Sequence, residues 1–352
     1  MVFAMTDIMI SLLEKPMERI ILGNAIEVLK ELPADSIDCC VTSPPYYQLR
    51  DYGITGQIGL EQTVEEYISK LVEVFSEVKR VLKPDGTLWV NIADSYSGSN
   101  KGRNADKLHN NKHKESIAVR GQRFGSLPTG IHNNDCKNKD LLGVPWLLAL
   151  ALRNDGWYLR QDIIWEKPNC MPESVKDRCT KAHEYIFLLS KSKKYYFDWE
   201  AIQEPCVGFD KSAPRGSKTW VHPNSGRRKG NRKTFRGGGV YTNNASFDNS
   251  TDKQNETSGN VPNDKGLRRK RSVWSVATKG IKEAHFATFP KKIVEPCVLA
   301  GSRKGGTVLD PFAGSGTVGL VAKENERGFV LIELSPEYSK IIKKRIYNQG
   351  EN

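Results

Sequence analysis

Strand-like apolar runs alternate with segments of helical period along most of this chain, and that alternation restricts the fold more than any other feature. "RIILGNA" reads as a short strand, "AIEVLKEL" as a helix and "SIDCCVT" as a buried strand. "TVEEYISKLVEVFSEVKRVL" carries apolar residues at helical spacing and stops at "KPDG", after which "TLWVNIA" is another buried strand. Beyond it "PWLLALALRNDGW" predicts a helix, while "LRQDIIWEK" and "HEYIFLLSKS" predict strands. The pattern closes with "FPKKIVEPCVLAGS" (helix), "GTVLDPF" (strand), "SGTVGLVAKEN" (helix), "RGFVLIEL" (strand) and "PEYSKIIKKRI" (helix). Such a chain builds an α/β fold whose mostly parallel sheet is covered by helices on both faces.

Two basic stretches interrupt the pattern. The chain of 352 residues has a net charge of +12, of which residues 201–280 hold +10 and residues 97–140 hold +5, leaving the remainder acidic. "GRRKGNRKTFRGGG" and "LRRKR" lie in the first stretch and "KGRNADKLHNNKHK" in the second. Charge runs by themselves are usually solvated surface. Trp220, Phe235, Tyr241 and Trp274 among the charges point instead to nucleic acid, where bases stack on aromatic rings. Arg227, Arg228, Lys229, Arg232, Arg268, Arg269, Lys270 and Arg271 are the candidate phosphate contacts.

Seven cysteines without a C-x-x-C pair argue against a disulfide framework and against a zinc site, so no metal is expected and a reducing cytoplasm fits best. "MVFAMTDIMISLL" is interrupted by Asp7 and has no basic segment before it, which distinguishes it from a signal peptide. Recognisable pattern begins at Met17, and residues 1–16 read as a dispensable leader. No apolar run is long enough to span a membrane.

Two stretches carry chemistry. In "VLDPFAGSGTVGLVA" a strand passes through a glycine turn into a helix, so that Gly314 and Gly316 let the backbone approach a ligand. Glu333 ends the following strand, where an acidic side chain takes ribose hydroxyls in nucleotide-binding folds. The turn lacks both the G-x-G-x-x-G spacing of dinucleotide sites and a G-K-[ST], which favours S-adenosylmethionine over nicotinamide or ATP. In "CVTSPPYYQLRDYG" a buried strand ends in Ser43, Pro44, Pro45 and Tyr46. Two prolines stop a strand and fix a rigid loop whose carbonyls point in set directions.

"DPFAGSGT" together with "VTSPPY" resembles the amino-methyltransferases that modify exocyclic nitrogens of DNA bases, in the circularly permuted arrangement called the β group. "HFATFP", "DIIWEKPN" and "HEYIFLLSK" resemble further motifs of that family, so the likeness covers residues 19–200 and 284–346. It implies a Rossmann-like S-adenosylmethionine-dependent sheet divided into a leader (1–18), a catalytic half with its basic insertion (19–200), a target-recognition region (201–280) and a cofactor half (281–352). Asp310, Phe312, Gly314, Gly316, Thr317, Glu333 and Phe286 are the implied cofactor residues. Asn24 stands where the family usually has an acidic residue near the adenine. In the catalytic loop, Tyr46 is expected to stack on a base flipped out of duplex DNA, while Ser43 Oγ and the Pro44 carbonyl accept its amino hydrogens. Tyr47 and Asp51 read as structural.

Val-Thr-Ser-Pro-Pro-Tyr resembles the cytosine-N4 signature, against the Asp or Asn that adenine-N6 enzymes more often carry before Pro-Pro-Tyr. Adenine-N6 transfer, an inactive DNA-binding protein on the same core, and RNA or protein amide substrates are the alternatives. C5-cytosine chemistry would need a Pro-Cys nucleophile, and Pro205-Cys206 and Pro296-Cys297 both fall in places that read as structural. Beside double-stranded DNA, a cognate restriction endonuclease acting on the same site is the partner the resemblance implies.

Overall fold

The computed structural model describes residues 17–97, 136–205, 267–278 and 289–347. The residues through Ile202 and those from Arg271 onward form one unit, and Gln203–Lys270 form another. In the first unit β1 (Glu18–Leu22), α1 (Ala25–Glu31), β2 (Ile37–Thr42), α2 (Val64–Val81) and β3 (Leu82–Ile92) are followed by α3 (Val144–Asn154), β4 (Tyr158–Glu166) and β5 (His183–Ser190). In the second unit β6 (Glu204–Pro205) pairs antiparallel with β7 (Leu267–Arg268), and Arg268 Nε donates to Glu204 Oε1 at 2.9 Å. The first unit resumes with β8 (Val273–Ser275), α4 (Lys291–Gly301), β9 (Thr307–Asp310), α5 (Thr317–Glu324), β10 (Gly328–Glu333) and α6 (Pro336–Tyr347).

Eight strands make one sheet in the order β1-β10-β9-β2-β3-β5-β4-β8. β5 alone runs against its neighbours; every other pairing is parallel, as the strand–helix alternation implied. The last strands of the chain, β9 and β10, lie between β1 and β2, so segments from the two ends of the sequence meet in mid-sheet.

Side chains alternate across each strand, and β2 displays both results. Cys40 joins the core under α1, α2 and α3 with Leu29, Tyr67, Phe75 and Leu148, whereas Cys39 and Val41 join the core under α4, α5 and α6 with Ile293, Val298, Val321 and Ile342. Full burial pushes the Cys39 thiol up to about 12, so it is an inert core residue. Helix starts follow local chemistry. Asn24 caps α1 by accepting from Ile26 N at 3.0 Å, and Thr63 and Glu66 form a capping box on α2.

Two details depart from the sequence reading. "KPDG" does not separate α2 from the next strand: β3 begins at Leu82, and the pairing with β2 shifts register between Ile37↔Leu82 and Cys39↔Thr87 as a bulge takes up the extra residues. Trp274 is not an exposed ring within a basic stretch. It sits on β8, pairs in register with Trp165 of β4 and is 6% exposed, because a three-residue edge strand adds its indole to the second core.

Gly301 closes α4 against this sheet, and a Cβ there would stand 2.5 Å from Cys39 Sγ and 2.8 Å from both Thr87 Oγ1 and Trp89 Nε1. Gly301→Ala therefore overpacks the core and is expected to cost about 1–3 kcal/mol, read as a lower urea midpoint at unchanged slope.

Candidate active site

β2 and β9 are neighbours and end at the same edge of the sheet. There Thr42 Oγ1 donates to Asp310 Oδ1 at 2.7 Å, joining residues that begin the two loops the sequence singled out. Asp310 is 3% exposed and also accepts from Phe312 N at 3.1 Å. Burial lifts its carboxyl to about 7 against the lowering pull of these bonds, and the Glu333 charge adds to the rise. Both loops open into one cleft of about 370 Å³.

One wall is the glycine turn. Gly314 has φ +53°, and its N–H donates to Glu333 Oε2 at 2.7 Å while Ser335 N donates to Oε1 at 2.8 Å. Burial raises the Glu333 carboxyl as well. A Cβ on Gly314 would meet no atom closer than 3.9 Å, so this backbone is bare toward the cleft. Gly316 has φ +75° at the start of α5, where a Cβ would press on Ile342 at 2.8 Å; its need is packing. Phe312 and Thr317 line the same wall, and Arg345 braces it from behind through the Ser315 carbonyl. Asn24 Nδ2 donates to Gly56 O at 3.3 Å, tying α1 to a segment that covers the cleft with Ile54 and Ile58.

The other wall is Ser43–Tyr46. Tyr67 donates its hydroxyl to the Pro45 carbonyl at 2.7 Å, and its ring lies 5.4 Å from that of Tyr47, whose hydroxyl donates to Gln62 O. Tyr47 is thus a buttress, and Asp51 closes a local turn by accepting from Gly53 N at 2.7 Å, both as expected of structural residues. Gly59 passes so close that a Cβ would stand 3.1 Å from Tyr46 O. None of the hydrogen bonds among the described residues uses the Pro44 carbonyl. Behind the loop, Ser43 Oγ donates to Asn91 Oδ1 at 3.2 Å and Tyr46 Oη donates to Glu184 Oε2 at 2.7 Å. Asn91 Nδ2 donates to the same Oε2 at 3.0 Å, and Lys167 forms an ion pair with Oε1. Burial first, then the Glu184 charge, pushes the Tyr46 phenol well above its ordinary range, so it stays a neutral donor.

Ser43, Pro44, Pro45, Tyr46, Asn24, Asp310, Phe312, Gly314, Thr317 and Glu333 thus converge on one cleft. Phe286, Arg227, Arg228, Lys229 and Arg232 lie outside the described residues; Phe289, close to Phe286 in sequence, lines the cleft. Arg268 is engaged with Glu204, while Arg269 and Arg271 are exposed and Lys270 is half-buried. Asn91, Lys167 and Glu184 had no role assigned from sequence, although they stand in "TLWVNIA", "DIIWEKPN" and "HEYIFLLSK". No cysteine lines the cleft among the described residues, and Cys297 faces the core inside α4. The same residues contain no cluster suited to a metal ion and no helix long and apolar enough to cross a membrane.

The N6/N4 DNA methylase family model matches residues 37–344, which takes in both loops and the whole sheet except β1. The chain belongs to the DNA methylase family. The methylase is 46% identical to the type II methyltransferase M.SmaI of Serratia marcescens, over 93% of this chain and 90% of that one. It is 44% identical to M.Cfr9I of Citrobacter freundii, over 94% and 88%. Among solved structures it superposes on the PvuII DNA methyltransferase (cytosine-N4-specific) with a TM-score of 0.56 at 17% identity, covering 96% and 91%. It superposes on the TTHA0409 DNA modification methylase of Thermus thermophilus complexed with S-adenosyl-L-methionine with a TM-score of 0.53 at 22% identity, covering 94% of each. The fold expected from the motifs is therefore the fold observed, and the methylase is an S-adenosylmethionine-dependent enzyme acting on DNA.

Asp310 carries a pH signature. A carboxyl whose folded pKa is about 7, against about 3.9 unfolded, binds its proton more tightly in the folded state. Its contribution to stability is full below pH 4 and is lost as the pH rises through 7. Asp310→Asn retains an acceptor for Thr42 without titrating, so its melting temperature relative to wild type, both without cofactor, is expected to climb between pH 4 and 7 and then level off.

Proposed function

We propose that this methylase transfers a methyl group to the exocyclic N4 of a cytosine flipped out of duplex DNA, directly and without a covalent enzyme intermediate. The observation that carries the reading is a serine at the head of the Pro-Pro-Tyr loop, facing the same cleft as the glycine turn. Serine is neutral and shorter than the Asp of the adenine-type motif, so the amino group it serves must come closer to the loop.

The cofactor wall fits S-adenosylmethionine on two counts: backbone bare of side chains at Gly314, and the half-buried Glu333 carboxylate beside it for ribose hydroxyls. Asp310, Phe312, Thr317 and Asn24 complete that wall, and Gly316, which does not line the cleft, shapes the turn from behind. Bound there, the cofactor supplies an electrophilic methyl group on a sulfonium. Everything else is the work of the chain. Tyr46 offers its ring to the flipped base, and Ser43 Oγ and the Pro44 carbonyl, which no hydrogen bond among the described residues occupies, accept the two amino hydrogens. Both acceptors draw the nitrogen toward tetrahedral geometry and localise its lone pair, and after methylation the nitrogen releases one of its two protons to water. Positioning of this kind is worth up to about 7–11 kcal/mol in well-oriented cases.

Arg268, Arg269, Lys270 and Arg271, with Arg227, Arg228, Lys229 and Arg232, are assigned to the phosphate backbone within a target-recognition region of residues 201–280. The catalytic loop precedes the cofactor turn in sequence, as in the permuted β group. A cytoplasmic restriction endonuclease sharing the recognition site completes the biological setting.

Two experiments test the reading. Gly314→Val places a branched side chain into the cofactor wall, and calorimetry is expected to register at least a ~100-fold loss of S-adenosylmethionine affinity in a protein that still melts cooperatively; unchanged affinity would remove this wall from the site. Mass spectrometry of nucleosides from DNA modified by the purified enzyme is expected to yield N4-methylcytosine, and N6-methyladenine as sole product would reject the cytosine assignment.

A further inference from the structure

Glu184 lies in the second residue of β5, the one strand that runs against its neighbours. Its direction brings the start of β5 to the edge where the parallel strands end, and so to the back of the catalytic loop. The side chain is almost completely buried, with Lys167 on one carboxylate oxygen and Tyr46 and Asn91 on the other. Lys167 also rests over the Trp165 ring at 4.4 Å, which fixes the cation in place.

The sense of each hydrogen bond follows from what each group can do. A carboxylate only accepts, and so does the Tyr185 carbonyl, which takes the other Asn91 amide hydrogen at 3.2 Å. Both Asn91 hydrogens are thereby committed, and Oδ1 is turned toward Ser43 Oγ. Tyr46 Oη is 3.1 Å from the same Oδ1 but only 2.7 Å from the carboxylate, and its single proton goes to the shorter, charge-assisted bond. Ser43 Oγ then has two acceptors behind the loop, Asn91 Oδ1 at 3.2 Å and Tyr46 Oη at 3.5 Å, and its proton goes to the nearer one. The Ser43 hydroxyl then points its hydrogen away from the cleft and its lone pairs into it.

We propose that Glu184, held by Lys167, is the positioning residue of the catalytic loop: it orients the Ser43 hydroxyl as an acceptor through Asn91 and tethers the Tyr46 ring by its hydroxyl. The inference rests on the reading of Ser43 as an acceptor of the target amino group. It makes Glu184 act on the reaction through two other side chains and without touching DNA or cofactor. An ion pair that merely joined β4 to β5 would have none of these effects, since the backbone ladder already joins them.

Steady-state kinetics on Glu184→Gln and Glu184→Asp decide between the two roles. Gln keeps the size but brings donors to a place where Lys167, Tyr46 and Asn91 all donate, whereas Asp keeps the acceptor and is one methylene shorter. Expected is an order of kcat Glu > Asp > Gln, with Gln about 10- to 100-fold below wild type, and KM for DNA and cofactor affinity within about twofold. Within a Ser43→Ala background the Ser43 arm is already gone, so Glu184→Gln should cost less than it does in wild type, the remaining loss being that of the Tyr46 tether. Asn91→Ala, which removes the acceptor of Ser43 but keeps the ion pair and the Tyr46 tether, is expected to lower kcat by less than Glu184→Gln does, and it serves if Glu184→Gln does not fold. Wild-type kcat in Glu184→Gln or Asn91→Ala, Asp below Gln, or losses that multiply in the Ser43→Ala background would each overturn the inference. Wild-type kcat in Ser43→Ala itself would instead overturn the reading of Ser43.

Discussion

The hydrogen bond from Thr42 to Asp310 is the contact on which the rest of the active site depends. It connects residues 268 apart in sequence, each the last residue of a strand buried on both faces. Side by side at one sheet edge, those strands release a proline loop and a glycine turn into the same space. A bond of this kind is worth only about a kilocalorie per mole in isolation. Its importance is geometric, because a displacement there would part the two walls of the cleft. Burial there disfavours the charged form of Asp310, so the contact is strongest where the carboxyl is desolvated and hydrogen-bonded together.

Each wall is stiffened by its own set of contacts. The glycine turn combines packing of Gly316 against Ile342 with hydrogen bonds from Arg345 to the Ser315 carbonyl and from Gly314 N to Glu333. The proline loop has Tyr67 on the Pro45 carbonyl and a buried carboxylate on the Tyr46 hydroxyl. Oriented hydrogen bonds tolerate small shifts poorly, so both walls are held in place by the chain's own contacts.

Much of this was legible in the sequence because local pattern and global fold agree. The runs from "SIDCCVT" to "PEYSKIIKKRI" have the periodicity of their elements, and the Ser-Pro-Pro-Tyr and glycine stretches mark the ends of β2 and β9. What was not legible has a common cause. Asn91, Lys167 and Glu184 lie at strand ends that come together only once β5 turns antiparallel, and no periodicity announces a strand's direction. β8 was missed for another reason: three residues inside a basic stretch carry no pattern, and Trp274 resembles a nucleic-acid platform until the sheet edge covers it. The bulge opening β3 was hidden because "KPDG" has the composition of a helix stop wherever it occurs.

The small ribbon of β6 and β7 has a consequence for stability. Glu204 opposite Arg268 and Pro205 opposite Leu267 form a two-rung stem, which holds together two points of the chain that lie far apart in sequence. The closure entropy of joining two such points grows slowly, by only about 0.6 kcal/mol for each doubling of the separation. The number of residues the sequence places between the two rungs is therefore a weak lever on the stability of the chain.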